Sequence, residues 1–462
     1  INHEEPRVRK LCSELIGVMA KHIGPPYFDE LGPVLYAQVS AFFERREVSR
    51  ETRLGAESEI ALDDTTGWYA LETLLCSYRE LVSGCGPRLG YLDRASEAEL
   101  GLFIRDSALH INRYIRQATF EFIHALMLQL SPGALSWSDG AYVPLLCRCI
   151  TAGLSDDFSQ VRFPATFAAR YFLVAINDQD REALVWPQLV PRLCLNRYYP
   201  ADGVKTASLE TWSAVSQGKG KALVTRHVAA AFEHYASMVD NKSHLICEAA
   251  CWVMGELGSI IDAQAVMPYL AGIMDILGVC LGDDSWQVRG AACVATSRIV
   301  RAHPEQACDV ACDVFLPLWV LHLNDFIWAL RSDSATALGI AMRCPVQRLA
   351  AAATDAAVEY LTENLAEAAK VKKSFSFIPQ NSTLYSFIKN KMEPEKEKTS
   401  VKVSPRKRWQ GSEGGVLLLA ELATARPEKA ARFVGTAVSL LNVYENAEYG
   451  KLHNTIWQQV VL

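Results

Sequence analysis

Gly282-Asp283-Asp284-Ser285-Trp286-Gln287-Val288-Arg289, followed by Gly290-Ala291-Ala292-Cys293-Val294-Ala295, decides how the chain is read. An acidic turn leads into a helix that carries an aliphatic residue, then a basic one, then a run of small residues. The frame recurs. Ser155-Asp156-Asp157-Phe158-Ser159-Gln160-Val161-Arg162 and Asn324-Asp325-Phe326-Ile327-Trp328-Ala329-Leu330-Arg331 each precede an Ala-rich helix. Pro200-Ala201-Asp202-Gly203-Val204-Lys205 keeps the register, as does the stretch from Asp240 to Cys247 with a cysteine in the basic slot. The basic slots at 162, 205, 247, 289 and 331 are 43, 42, 42 and 42 residues apart. A fixed period of this length is the mark of a repeat array.

Each unit reads as two helices. Apolar residues recur at i, i+3, i+4 and i+7, and period-two alternation is scarce, so the chain is expected to be all-α. The Asp or Asn of the turn is expected to cap the second helix. A basic residue in a helix's first turn opposes the helix dipole, so something must favour it there. The expected partner is the acid of the neighbouring unit. This makes an inter-repeat ladder from Asp157, Arg162, Asp202, Lys205, Asp240, Asp284, Arg289, Asp325 and Arg331. Small residues beside it (Ala165, Ala207, Ala249, Ala291, Ala335) allow close helix approach.

The run from Asp283 to Ala292 resembles the HEAT-repeat signature of the armadillo-like helical superfamily. The resemblance is strongest over 141–345. It implies an α-α superhelix, a HEAT-repeat solenoid of about eight to nine helix pairs, and only loosely a scaffold or adaptor function.

Outward from the regular repeats, residues 1–140 read as irregular HEAT-like helical repeats, with a polar loop over 46–62 and a further unit start at Asp63-Asp64. Residues 346–370 read as the first helix of an interrupted repeat. The segment 371–412 reads as a disordered basic insertion, since 370–408 holds 11 basic and 3 acidic residues. Residues 413–462 resume helical repeats. Ile1 is not Met, and Ile456–Leu462 stop inside an apolar pattern, so both ends read as truncated.

Half the residues are hydrophobic and 21% are charged, which excludes a wholly disordered chain. A net charge of −6 argues against nucleic acid as the partner. The thirteen cysteines are scattered without a CxxC, which suits buried thiols and not a disulfide framework. His244, Cys247 and Cys251 share a helix face but lack a second ligand cluster, so no metal and no cofactor are expected. Ala263–Gly282 is long and apolar enough for a membrane span. With Asp275 and Pro268 inside it, a buried helix of a stacked array is the preferred reading. HExxH, GxSxG and the Walker phosphate loop are absent, and His-Glu occurs once, at His3-Glu4. Gly218-Lys219-Gly220-Lys221 lacks the strand and Ser/Thr of a phosphate loop and reads as a helix connection.

No catalytic residues are therefore expected. The functional expectation is a non-enzymatic, cytoplasmic scaffold or adaptor that binds other proteins or peptides on the concave face lined by the second helices. The candidate contacts are Arg170, Glu210, Glu248, Glu256, Arg298, Arg301 and Arg343. One alternative is a transport receptor or assembly factor regulated through the basic insertion. There Ser404 would be the modified residue and Arg406, Lys407 and Arg408 a docking or nuclear-import signal. A HEAT-like metal-dependent enzyme is the other.

Overall fold

The computed structural model describes residues 3–53, 68–370 and 406–443. Among them there is no strand, only a single bridge between Leu135 and Ile176. The main helices are α1 (Pro6–Ile23), α2 (Pro25–Arg53), α3 (Trp68–Cys85), α4 (Arg113–Met127), α5 (Tyr142–Leu154) and α6 (Ser159–Ala175). There follow α7 (Trp186–Asn196), α8 (Asp202–Ser216), α9 (Val228–Met238), α10 (His244–Ile260), α11 (Ala263–Cys280) and α12 (Trp286–Ala302). The last are α13 (Leu316–His322), α14 (Trp328–Met342), α15 (Gln347–Lys370), α16 (Arg406–Ala425) and α17 (Pro427–Val443).

The chain divides into two compact units, Ile1–Leu270 and Ala271–Leu462. In the first, α1, α3, α4, α6 and α8 lie side by side as successive second helices, while α5, α7 and α9 form the layer of first helices. In the second, α12, α14 and α16 form one layer and α13, α15 and α17 the other. Neither layer can bury its apolar stripe alone, and stacking buries both. Small residues set the spacing. A Cβ on Gly84 would fall 2.4 Å from the Gly17 carbonyl oxygen, and one on Gly414 2.1 Å from that of Leu323.

One turn recurs at the start of the second helices. A residue j accepts, through its side chain, the amide of residue j+2. The basic residue at j+6 then donates to the carbonyl of j. The amide bonds are 2.7–3.0 Å long in six turns, with j at His3, His110, Asp156, Asn241, Asp283 and Asp325. The returning donors are Arg9, Arg116, Arg162, the Cys247 thiol, Arg289 and Arg331. This explains the basic slot. The side chain satisfies a loop carbonyl that the first helix leaves behind. His3, noted above only as part of the single His-Glu pair, holds one of these turns.

Several expectations are corrected. In these turns the acid sits two residues before the helix cap and closes an Asx-type turn, instead of capping the helix itself. Asp157, Asp240 and Asp284 are consequently exposed, one position off or free of the ladder geometry. Helix α2 runs to Arg53, into the expected loop 46–62, because Arg and Glu are good helix formers. Helix α16 begins at Arg406, inside the expected insertion 371–412, and buries Gln410 and Ser412. Residues 371–405, and with them Ser404, lie outside the described residues, as do Asp63 and Asp64. Helix α11 is the one described helix long and apolar enough to cross a membrane. It buries Val266, Leu270, Ile273 and Leu277 at helical spacing and leaves Met267 and Val279 exposed.

His322 lies buried at the end of α13, close to Arg289 and Asp325 and hydrogen-bonded to the Leu281 backbone. Burial, reinforced by Arg289, pushes its pKa down to about 4 from the usual 6.5. Between those values the unfolded chain takes a proton that the folded chain refuses. Stability is therefore level above pH 6.5 and falls as the pH drops towards 4, by about 3 kcal/mol from this group. His234, held at about 3 by burial and by Arg192 and Arg162, acts in the same direction. His322→Gln should remove part of the acid-side loss in denaturant unfolding followed above and below this window. An unchanged pH profile would refute the assignment.

Candidate functional site

The second helices turn one face inward and leave the other half-exposed. In the first unit that open face is aromatic. On α3 it begins with Trp68 and Tyr69, on α4 with Arg113 and Tyr114, and on α6 with Phe163, Phe167 and Tyr171. These positions lie opposite the buried alanines Ala165, Ala168 and Ala169, since the 3.6-residue period separates the two faces. Trp68 stacks on Tyr114 at 4.5 Å, and the Arg113 guanidinium sits 4.9 Å from the Phe158 ring centre. Further along, Phe163 meets Phe167 edge-on at 5.2 Å, and His124 lies 5.6 Å from Phe167 and 5.3 Å from Tyr171. Burial lowers the pKa of His124, so the ring is neutral near pH 7. Tyr69 is 50% exposed, Phe163 43% and Phe158 40%.

A polar line crosses the same face. Arg79 of α3 pairs with Glu121 of α4, Gln117 donates to Glu121 at 2.9 Å, and Gln160 of α6 donates to Gln117 at 3.3 Å. These groups satisfy one another across three helices, so they lock the relative rotation of the helices that carry the aromatic rings.

The expected ladder exists at fewer rungs than its residues suggested. Arg289 pairs with Asp325 of the next unit at 2.6 Å. Arg116 does the same with Asp156, also at 2.6 Å. For Arg162, which is 1% exposed, the corresponding turn residue is Tyr199. Its guanidinium lies 4.6 Å from that ring and donates to Asn196 at 2.5 Å. Asp202 and Lys205 are exposed instead. Arg331 pairs with Glu413, 82 residues along the chain.

The expected contact residues divide. Glu256 is held by Arg197 at 2.7 Å, and Arg343 pairs with Glu421 at 2.7 Å. Glu248 is half-buried beside Trp252, and desolvation raises its pKa. Arg170 stands over Tyr171 at the edge of the aromatic face. Glu210 and Arg301 are exposed and Arg298 half-exposed. Arg406, Lys407 and Arg408 open α16. The sequence reading missed the rings of the aromatic face. The 163, 167, 171 spacing was available as a signal, but only stacking shows which side of a helix stays uncovered.

Two clefts lie at the C-terminal ends of second helices. One, of about 320 Å³ in the first unit, has Val174, Trp186, Val215 and Leu223 among its walls. Its two acids are matched by the Arg181–Asp178 and Arg226–Glu182 pairs, and its rim is the Gln217-Gly218 turn, with φ of 47° and 78°. That turn connects two helices, so Gly218-Lys219-Gly220-Lys221 does not follow a strand. The other cleft, of about 310 Å³ in the second unit, is lined by Arg301 and Arg343. Among the described residues, no group of three or more His, Cys, Asp or Glu side chains is placed to hold a metal. All thirteen cysteines are thiols, nine of them buried.

No protein-family model matches the sequence. No curated protein matches it either. Solved structures similar in fold are helical-repeat proteins and an engineered protein. The engineered protein is 12% identical over 100% of this chain and 96% of its own, with a TM-score of 0.39. Yeast importin-beta, Kap95p, in a complex with RanGDP is 14% identical over 90% of this chain, with a TM-score of 0.45. This chain spans 48% of that one, about half its length. A designed armadillo repeat protein in complex with a (KR)4 peptide is 16% identical over 59% of this chain and 99% of its own, with a TM-score of 0.31. Likenesses at this level carry no argument about function.

Proposed function

We propose that the protein is a non-enzymatic scaffold that binds other proteins through the open face of its second helices. The carrying observation is the aromatic and arginine face of α3, α4 and α6. Aromatic side chains and arginine are the residues that dominate binding energy at protein interfaces: the rings cover a large area with few rotatable bonds, and the guanidinium adds a planar, stacking, charged fork. Here the rings are partly exposed, yet their backbones sit on helices locked by the Arg79–Glu121–Gln117–Gln160 line. A rigid, half-apolar surface of this kind loses little entropy on binding.

Tyr69→Ala combined with Phe163→Ala tests the reading, because both side chains are largely exposed and their removal leaves the core intact. Stoichiometric partners captured by the wild-type chain from a cell extract should be lost, with affinity down by about a hundredfold for two rings. Circular dichroism should show unchanged helix content. Partners retained at wild-type level by a folded variant would remove the face from consideration.

A further inference from the structure

Helix α1 is the first of the second-helix layer. Helix α3 covers one of its flanks, and among the described residues no second helix covers the other. The inner face closes on α3 through Ser13, Gly17 and Ala20. The outer face carries Leu11, Leu15, Val18, Met19 and Ile23, which are 41–62% exposed. An end helix that faces water is polar on its outer side, because a repeat array needs polar caps to stay soluble. We propose that a second copy of this chain covers the outer face, with the two α1 helices packed antiparallel about a two-fold axis.

The spacing of the side chains is self-complementary. Leu11, Leu15, Val18 and His22 follow the alternating four- and three-residue steps of a helix–helix seam. The seam is about 16 Å long. In an antiparallel pair centred between residues 16 and 17, Leu15 of each copy meets the partner's Val18, and Leu11 meets the partner's His22. Arg7, Glu14 and Lys21 recur at intervals of seven along one edge of the seam, and Cys12 and Met19 along the other. In a two-fold antiparallel pair each edge faces its own copy. Glu14 therefore meets the partner's Lys21, and Cys12 the partner's Met19, and each of these contacts is made twice.

Charge favours the same arrangement. The exposed charges at the start of α1 are Glu4, Glu5 and Glu14 against Arg7 and Lys10. Arg9 is buried on the α3 side, where it lies close to Glu72. Residues 15–23 carry Lys21 and His22 and no acid, and Arg88 adds a cation by donating to the Lys21 carbonyl. Antiparallel packing lays the acid-rich half of one helix on the basic half of the other, and it opposes the two helix dipoles as well. Parallel packing would set like against like. Glu14 lies 3.7 Å from Lys10 in its own copy, and both are well exposed, so the partner's Lys21 can join them. An anionic lipid surface gains nothing comparable. The exposed Arg7, Lys10 and Lys21 are cancelled by Glu4, Glu5 and Glu14.

Sedimentation velocity of the full chain tests this, over concentrations that bracket the micromolar range expected of so small an interface. The wild type should reach twice the monomer mass. Leu15→Glu, at an exposed position, should leave a monomer with unchanged circular dichroism. Glu14→Lys should weaken dimerisation by at least about tenfold, since both symmetric pairs become repulsive. Adding Lys21→Glu to it exchanges the charges and should restore most of the affinity. A monomeric wild type would overturn the assignment, as would a dimer that survives Leu15→Glu. So would a Glu14→Lys/Lys21→Glu variant no tighter than Glu14→Lys alone. A wild type that stays monomeric but binds phosphatidylserine vesicles, and loses them on Leu15→Glu, would give the face to lipid instead. None of these outcomes bears on the aromatic face, whose own test is the Tyr69/Phe163 variant.

Discussion

Arg331→Met will lower the stability of the second unit by about 3–5 kcal/mol. Arg331 and Glu413 are 2% and 1% exposed and pair directly between α14 and α16. Removing the guanidinium leaves a carboxylate in a site shielded from water, and strips the Asp325 carbonyl of a donor 2.5 Å away. The loss is dominated by the cost of keeping that carboxylate buried once the guanidinium opposite it is gone, not by the attraction it once enjoyed. The double variant Arg331→Met/Glu413→Leu should therefore recover most of the stability, since a buried ion pair replaced by apolar residues is often neutral. Hydrogen exchange of the α14 and α16 amides resolves the two cases. Equal protection losses in the single and double variants would show that the lost attraction of the pair, and not the stranded carboxylate, sets the cost.

Gly84→Ala comes next in size, at about 3 kcal/mol for the first unit. Its new Cβ would lie 2.4 Å from the Gly17 carbonyl oxygen and 2.7 Å from the Ala20 Cβ. Both obstacles belong to the facing helix α1, and one is backbone, so rotamer changes cannot relieve the overlap. The helices must part, and the apolar residues between them lose contacts. Because repeat arrays need not unfold in one step, the informative readout is local. Limited proteolysis and amide exchange should open α1 and α3 while α6 and α8 keep their protection. Unaltered protection of α1 would mean that the close approach at Gly84 does not limit the packing.

Much of the fold is written in short stretches of sequence. The turn that starts a second helix spans seven residues, so its geometry depends on local chemistry. Asp156, Asn241, Asp283 and Asp325 each accept the amide two residues on, and the basic slot returns to the same carbonyl. His3 and His110 make the same turn but were not recognisable as members of the pattern, because the imidazole nitrogen replaces a carboxylate oxygen. Charge-rich α2 and polar α16 misled the reading in the opposite sense. A charge-rich composition by itself does not separate a solvated loop from a helix.

The period of 42 residues, the all-helical class and the basic slot in each turn were determined by the sequence alone, because they arise from contacts within one unit. Which group each basic side chain finds was decided only by the tertiary structure. Arg162 meets Asn196 and Tyr199, Arg289 meets Asp325, and Arg331 meets Glu413. The same holds for the aromatic face and the two-arginine cleft. Those partners are 34 to 82 residues away along the chain, and what brings them together is the stacking distance between helices, which no single unit encodes.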